Sequence, residues 1–269
     1  MRKIGVLQGT FDPISDVELQ EALDWLKEDN LKEIVFEVKE EGTILQKDRI
    51  SLVKKAIKPY RKLKINISYS KGNVIYKESS DRNEEEIRNG FYRLAARGIK
   101  KELLLQGYYF ENAVKYHCKE SRYKHSLAVR DVCIELAKTH HLNLYVASSM
   151  GILHDITKNK SDEWGKKLLD IYEPTITSMS PKVWHSETAI FFLKKEMGLH
   201  DKKILNAIWH HTLGTGKSDY AKILYIADKC EPTRGYDSTK EITLAKDNLT
   251  KGFELVKKES ESYRKETGL

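Results

Sequence analysis

The chain has 269 residues, about 40% of them apolar and 32% charged. That composition describes an ordinary globular protein and excludes collagen-like, mucin-like and wholly disordered chains. It is long for one domain and comfortable for two. No stretch approaches the roughly twenty apolar residues of a membrane-spanning helix, and the N-terminal apolar run is too short for a secretory signal. Cys118, Cys133 and Cys230 show no CxxC spacing, which argues against a disulfide framework and a thiolate zinc site. A cytoplasmic location is the expectation. The net charge of +7 comes with no long basic block, and lysine rather than arginine dominates, so no sequence-specific nucleic-acid binding and no membrane partner are expected.

Elements of the first part alternate. Strands are expected at 3–7, 34–36, 63–69 and 74–76, and helices at 17–27, 48–57 and 84–96, the last with Asp81 or Asn83 as N-cap. Strands separated by helices of about ten residues predict βαβ units and a parallel sheet. The first turn reads Gly9-Thr10-Phe11-Asp12-Pro13. In an α/β sheet, the loop after the first strand is where a nucleotide phosphate meets a helix N-terminus.

This turn resembles the nicotinate-nucleotide adenylyltransferase family, in which GTFDP precedes I-H-x-G-H. Ser79-Ser80 followed by Ile87-Arg88 is similar to that family's I-S-S-T-x-I-R segment. Here, however, Ser15, Val17 and Glu18 stand where histidine, glycine and histidine belong. A carboxylate at the last of these positions would repel a triphosphate. The resemblance implies a shortened, degenerate nucleotidyltransferase-like domain with a Rossmann-like α/β fold over residues 1–106, without catalytic activity of its own. A residual or bifunctional adenylyltransferase of NAD biosynthesis is the alternative.

All nine histidines lie at or beyond position 117. There the pattern is helical, with periodic segments near 110–119, 122–139, 144–157, 164–172, 182–197, 201–211, 219–230 and 240–265. Residues 107–269 therefore predict an all-α bundle. His125, the adjacent pair His154-Asp155, His185, His211 and Asp228 recur at spacings of about one helix plus a connection. A bundle aims side chains from several helices at one interior point in this way. Burying His154 and Asp155 beside Leu153 and Ile156 without partners would be costly. Asp228, flanked by Leu224-Tyr225-Ile226-Ala227, needs a cation or hydrogen-bond donors. Such nitrogen and oxygen ligands suit iron, manganese or zinc. His117, His140, His141 and His200 read as surface or core polar residues.

The H…HD…D order resembles the HD-domain metal-dependent phosphohydrolases. The words Arg122-Tyr123-Lys124-His125-Ser126, Leu153-His154-Asp155-Ile156-Thr157-Lys158, Trp184-His185-Ser186, His211-Thr212-Leu213-Gly214 and Tyr225 to Arg234 are similar to one subfamily, the symmetrical bis(5'-nucleosyl)-tetraphosphatases, or YqeK family. His210 adjoins the ligand position, and the Thr-x-Gly that follows favours His211. The resemblance implies cleavage of diadenosine tetraphosphate to two ADP, with a dinucleoside polyphosphate as the small-molecule partner. It also implies two divalent or mixed-valence metal ions, iron first, with manganese or zinc as alternatives. One ion would be held by His125, His154, Asp155 and Asp228, the other by Asp155, His185 and His211, with Asp155 bridging. Among the groups expected to meet substrate, Lys158 and Arg234 supply charge to phosphates and Thr212 a hydroxyl. A pair of metal ions neutralises clustered phosphates, activates water near pH 7 and stabilises the leaving phosphate. Another nucleotide substrate, or a nucleotide-sensing role, is the rival reading. A homodimer remains an open expectation.

Overall fold

A computed structural model describes residues 2–65 and 73–267. The chain divides into two compact units: Met1–Tyr109 together with Glu196–Gly198, and Phe110–Lys195 together with Leu199–Leu269.

The first unit is an α/β layer built on a four-stranded parallel sheet in the order β3-β2-β1-β4. The strands are β1 (Ile4–Gly9), β2 (Glu33–Val38), β3 (Leu63–Ile65) and β4 (Val74–Glu78). β1 and β2 read as continuous apolar runs because both faces of such a sheet are covered, and Val6, Leu7, Ile34, Val35 and Phe36 are all buried. The expected third strand is present over its first residues; positions 66–69 lie outside the described residues. Helix α1 (Asp16–Glu28) starts on a reciprocal capping box: Ser15 Oγ accepts from the Glu18 backbone N–H, and Glu18 Oε2 accepts from the Ser15 N–H. Helix α2 (Gln46–Ile57) buries Leu52, Val53 and Ala56.

One expected helix is much shorter than its periodicity implied. The helix predicted at 84–96 is α3 (Glu84–Arg88) followed by a 3₁₀ turn at Tyr92–Leu94, because Gly90 adopts a left-handed backbone at φ 98° and ends the helix. Asn83 occupies the N-cap position of α3 without a side-chain cap bond. A further short helix, α4 (Lys100–Gln106), has no counterpart in the expected elements.

The second unit is all α among its described residues. It contains α5 (Phe110–His117), α6 (Glu120–Thr139), α7 (Leu144–Leu153), α8 (Asp162–Tyr172), α9 (Trp184–Phe192), α10 (Lys202–His210), α11 (Asp219–Cys230), α12 (Thr239–Asp247) and α13 (Leu249–Thr267). Helix α11 runs through the interior and packs on α6, α7, α10 and α13. Its residues Ile223 to Ala227 are fully buried. Helices α6 and α7 approach closely at Gly151, where a Cβ would lie 2.6 Å from the Arg130 Cα.

Three boundaries depart from the expected periods. The segment 240–265 is two helices, broken where Asn248 turns extended at φ −146° and ψ 101°. The segment 182–197 opens with a 3₁₀ turn at Pro181–Val183 and closes in a wide π-type turn at Leu193–Met197, leaving α9 nine residues long. The segment 144–157 stops being helical at Leu153. The chain beyond it turns with i→i−3 bonds, Ile156 N–H to Leu153 O and Lys158 N–H to Asp155 O. No helix among the described residues is long and apolar enough to cross a membrane.

Candidate metal centre

Four parts of the bundle converge on one buried point. His125 comes from α6, His154 and Asp155 from the turn after α7, His185 from the first turn of α9, and His211 from the end of α10. Asp228 joins them from α11. All six are buried. Neighbouring helical residues point about 100° apart, and His154 and Asp155 reach one centre from the turn in which α7 ends.

Asp155 sits in the middle and its two oxygens face different neighbours. Oδ2 lies 3.5 Å from His154 Nε2 and 3.9 Å from His125 Nε2. Oδ1 lies 3.2 Å from His185 Nε2 and 3.6 Å from His211 Nε2. Asp228 Oδ1 is 3.1 Å from His125 Nε2 and 3.8 Å from His154 Nε2. Two groups have donor atoms close enough to share an ion: His125, His154 and Asp155, and Asp155, His185 and His211.

The imidazoles are held by their outer nitrogens. His154 Nδ1 donates to the Gly151 carbonyl at 2.8 Å, and His211 Nδ1 to the Ile208 carbonyl at 2.6 Å. His125 Nδ1 meets the Glu231 carboxylate at 2.8 Å. Each bond fixes the proton on Nδ1 and turns the Nε2 lone pair inward. His125 Nε2, His154 Nε2 and Asp155 Oδ1 are buried with no hydrogen-bond partner. Orphaned lone pairs of this kind, on borderline nitrogen and hard oxygen donors, fit a divalent transition metal. His185 differs: its Nδ1 is 3.0 Å from Lys158 Nζ, and its Nε2 is 3.2 Å from His211 Nε2.

Charge organises the rest. Burial alone would raise the carboxyls of Asp155 and Asp228. The imidazoles of His154 and His185 outweigh it for Asp155, and Lys229 with His125 for Asp228, so both are held well below the usual carboxylate range. Burial drives His185 down to about 3 and lowers His154, so both imidazoles are neutral near pH 7. Burial also pulls on His125, but the carboxylates of Asp228 and Glu231 beside it raise it.

Of the other expected groups, Lys158 reaches the edge of the centre from the turn that follows α7. Its Nζ donates to the Lys182 carbonyl at 3.1 Å, and burial lowers its pKa. Thr212 Oγ1 is 3.1 Å from His185 Nε2 and 3.3 Å from His211 Nε2. Arg234 is engaged by Asp228, with Nη2 2.7 Å from Oδ1 and 2.6 Å from the backbone carbonyl. His210 turns away toward Thr215 Oγ1 at 2.7 Å, so of the adjacent histidines it is His211 that joins the cluster. His117 packs edge-on against Phe192, and His140 bonds the Ala245 carbonyl.

Three participants went unassigned in the sequence reading: Glu231 behind His125, Arg122 at 2.9 Å from Asp155 Oδ2, and Lys229 at 2.6 Å from Asp228 Oδ2. Arg122 precedes His125 by three positions and Glu231 follows Asp228 by three. Within α6 that spacing shares a helical face and is the signal that points to Arg122; Glu231 lies one residue past the end of α11, in extended backbone.

A buried His, His-Asp and Asp set drawn from separate helices defines the HD-domain class of metal-dependent phosphohydrolases, and the HD domain family matches residues 122–233. The symmetrical bis(5'-nucleosyl)-tetraphosphatase of Bacillus subtilis is 30% identical over 132 residues, covering 48% of this chain and 71% of that protein. A Mycoplasma pneumoniae protein named "Probable nicotinate-nucleotide adenylyltransferase/Ap4A hydrolase" is 30% identical over 165 residues. That match covers 58% of this chain but only 48% of the Mycoplasma protein. A Clostridium acetobutylicum crystal structure, described as a predicted HD superfamily hydrolase involved in NAD metabolism, superposes with a TM-score of 0.54 at 26% identity. It covers 59% of this chain and 87% of its own. The chain belongs to the HD-domain family that contains the symmetrical bis(5'-nucleosyl)-tetraphosphatases.

Proposed function

We propose that the second unit hydrolyses a dinucleoside tetraphosphate, diadenosine tetraphosphate first, symmetrically to two ADP. The observation that carries this reading is the divided carboxylate of Asp155, with one oxygen toward His125 and His154 and the other toward His185 and His211. Such a bridge is what two adjacent ions need. His125, His154, Asp155 and Asp228 would hold one ion, and Asp155, His185 and His211 the other. Iron is the first expectation for this imidazole and carboxylate set, with manganese or zinc next. When bound, the pair supplies charge neutralisation and activated water.

The protein's own groups do the rest. Lys158 and Arg234 bring positive charge to opposite ends of the ligand array, Lys158 beside His185 and Arg234 beside Asp228. A polyphosphate laid along the array meets one at each end, and the arginine can grip it through two N–H groups. The Thr212 hydroxyl, beside His185 and His211, would donate to a phosphate oxygen. The relatives' names support the substrate, and a cytoplasmic location suits it.

The first unit is read as silent in adenylyl transfer, because its loop is filled from within. Glu18 Oε1 accepts from the Ser79 hydroxyl at 2.7 Å, and Glu84 Oε2 accepts from the Thr10 hydroxyl at 2.8 Å. The Arg49 guanidinium is spent on the Thr10, Glu40 and Ile44 carbonyls. Arg88 donates to the Asp12 carbonyl at 2.6 Å. The place for a phosphate is thus lined by acidic side chains already bonded within the loop, and the nearby cations are already engaged.

Product analysis on iron- or manganese-loaded protein tests the main reading, with Asp155→Ala as control. ADP as the sole product, lost in the variant, is expected. Absence of turnover by loaded wild type rejects the tetraphosphatase assignment. For the first unit, ATP with nicotinate mononucleotide should release no pyrophosphate; release would restore the bifunctional alternative.

A further inference from the structure

The ligand array has two ends, and a cavity adjoins each. At the His185 end, Lys158, Trp164 and Trp184 border a cavity of about 190 Å³. At the Asp228 end, Lys229 and Arg234 border one of about 440 Å³, with Tyr236, Tyr263 and Glu259 around it and Val256 as its buried floor. Small-ligand sites typically occupy about 300–1,000 Å³. Only the second of these two cavities is of that size.

Its lining has the chemistry of a nucleotide site. Tyr236 and Tyr263, 53% and 61% exposed, line the same hollow. The Tyr236 hydroxyl donates to the Lys229 backbone carbonyl, and the Lys229 ammonium touches Asp228. Arg234 stands between the tyrosines and the same carboxylate. From the lining tyrosines, the contacts therefore run through the cations of Lys229 and Arg234 to Asp228. A nucleoside diphosphate has the matching order of base, sugar and phosphates. The Glu259 carboxylate at the rim can accept from sugar hydroxyls.

We infer that this cavity is a nucleoside subsite, with a base resting against Tyr236 and Tyr263 and its phosphates passing Arg234 and Lys229 toward Asp228. The inference rests on the tetraphosphatase reading and deepens it: one nucleoside of the substrate is gripped, and the other, at the smaller cavity, is held through its phosphates alone. A tetraphosphate carrying a single adenosine is then also a substrate. Water's oxygen bonds to phosphorus, the bridge between the second and third phosphates breaks, and a proton is released, giving ADP and pyrophosphate.

Calorimetric titration of ADP into the wild-type chain, Tyr236→Ala, Tyr263→Ala and Tyr236→Phe tests the subsite without turnover. Loss of a stacking ring should weaken ADP about tenfold in each alanine variant. Tyr236→Phe keeps the ring and should bind as wild type does, which a merely structural hydroxyl would not predict. Unchanged ADP affinity in both alanine variants overturns the inference, as does wild type binding pyrophosphate as tightly as ADP. In steady-state assays, adenosine 5'-tetraphosphate should show a KM close to that of the dinucleotide, and Tyr236→Ala should raise both. A much higher KM for the single-adenosine substrate would show that both nucleosides are gripped. Tyrosine-dependent ADP binding without any cleavage of the dinucleotide would instead overturn the tetraphosphatase reading and leave the subsite standing.

Discussion

Glu231 is the most informative residue to change, because it touches the centre only through His125. Its Oε1 lies 2.8 Å from His125 Nδ1, and the side chain is 1% exposed. The same carboxylate accepts from the Thr233 N–H at 2.5 Å and the Thr233 hydroxyl at 2.7 Å. Burial would raise its pKa, but the bonds from His125 and Thr233 outweigh that and hold it below the usual value. In Glu231→Ala the Nδ1–H is left buried without an acceptor, a loss of about 1–3 kcal/mol. Part of that loss falls equally on metal-free and metal-bound protein and cancels in an affinity measurement. The remainder does not, because a metal on Nε2 draws charge from the ring and strengthens the bond that Nδ1 makes. Removing such a partner typically weakens metal binding about 10–100-fold, equivalent to about 1.4–2.7 kcal/mol. Glu231→Gln keeps an acceptor for Nδ1 but sets an amide against the Thr233 N–H, so it should fall between wild type and alanine. Competition with a chelator, followed by the retained metal, reads the affinity directly, and circular dichroism checks the fold. An alanine variant that is folded and binds manganese within about twofold of wild type would refute a positioning role for Glu231.

Three further outcomes are expected. Gly151→Ala gains about 1 kcal/mol of helix propensity, but its Cβ would lie 2.6 Å from the Arg130 Cα and 3.0 Å from the Arg130 nitrogen. Backbone cannot yield there cheaply, so overpacking of about 1–3 kcal/mol should win and lower the melting temperature of the second unit. In the first unit, burial and the nearby Glu84 raise Glu18 from 4.5 to about 8. The folded state then holds a proton that the unfolded chain sheds, so its contribution to stability is full below pH 4.5 and is lost as pH rises to about 8. Glu18→Gln should flatten that decline in melts taken across the window, and an unchanged slope would show that another group causes it. Finally, chelation should lower the melting temperature of metal-loaded protein, since an ion bound only by the folded state adds to its stability; equal melting points with and without chelator would show that the six side chains hold no ion.

The class of each unit was legible in the sequence for different reasons. The sheet announced itself through short apolar runs, because strands covered on both faces have no polar side to show. The candidate ligand set was legible because burying His154-Asp155 and Asp228 requires partners, and the six side chains converge on one buried point. Helix ends were the hidden part. Nothing in the apolar period of 144–157 marks the change to i→i−3 bonding after Leu153, in the turn that carries the pair. Gly90 and Asn248 interrupt periods that otherwise continue, and single residues of that kind are overruled or obeyed according to packing that one sequence does not display. Glu231 escaped notice because it lies just past the end of α11, where a carboxylate ordinarily reads as a cap; it does cap the following turn as well as hold His125.

The filled loop of the first unit resists change at the two positions where the adenylyltransferase resemblance would place histidine. Ser15 and Glu18 cap α1 for one another, and Glu18 also serves Ser79. Placing histidine at position 15 would uncap the helix, and placing it at 18 would leave both serines without that partner. Each single step toward a phosphate-binding sequence first loses something that the present fold uses. The loop therefore sits in a local optimum, in which stability guards the sequence against the substitutions that phosphate binding would need.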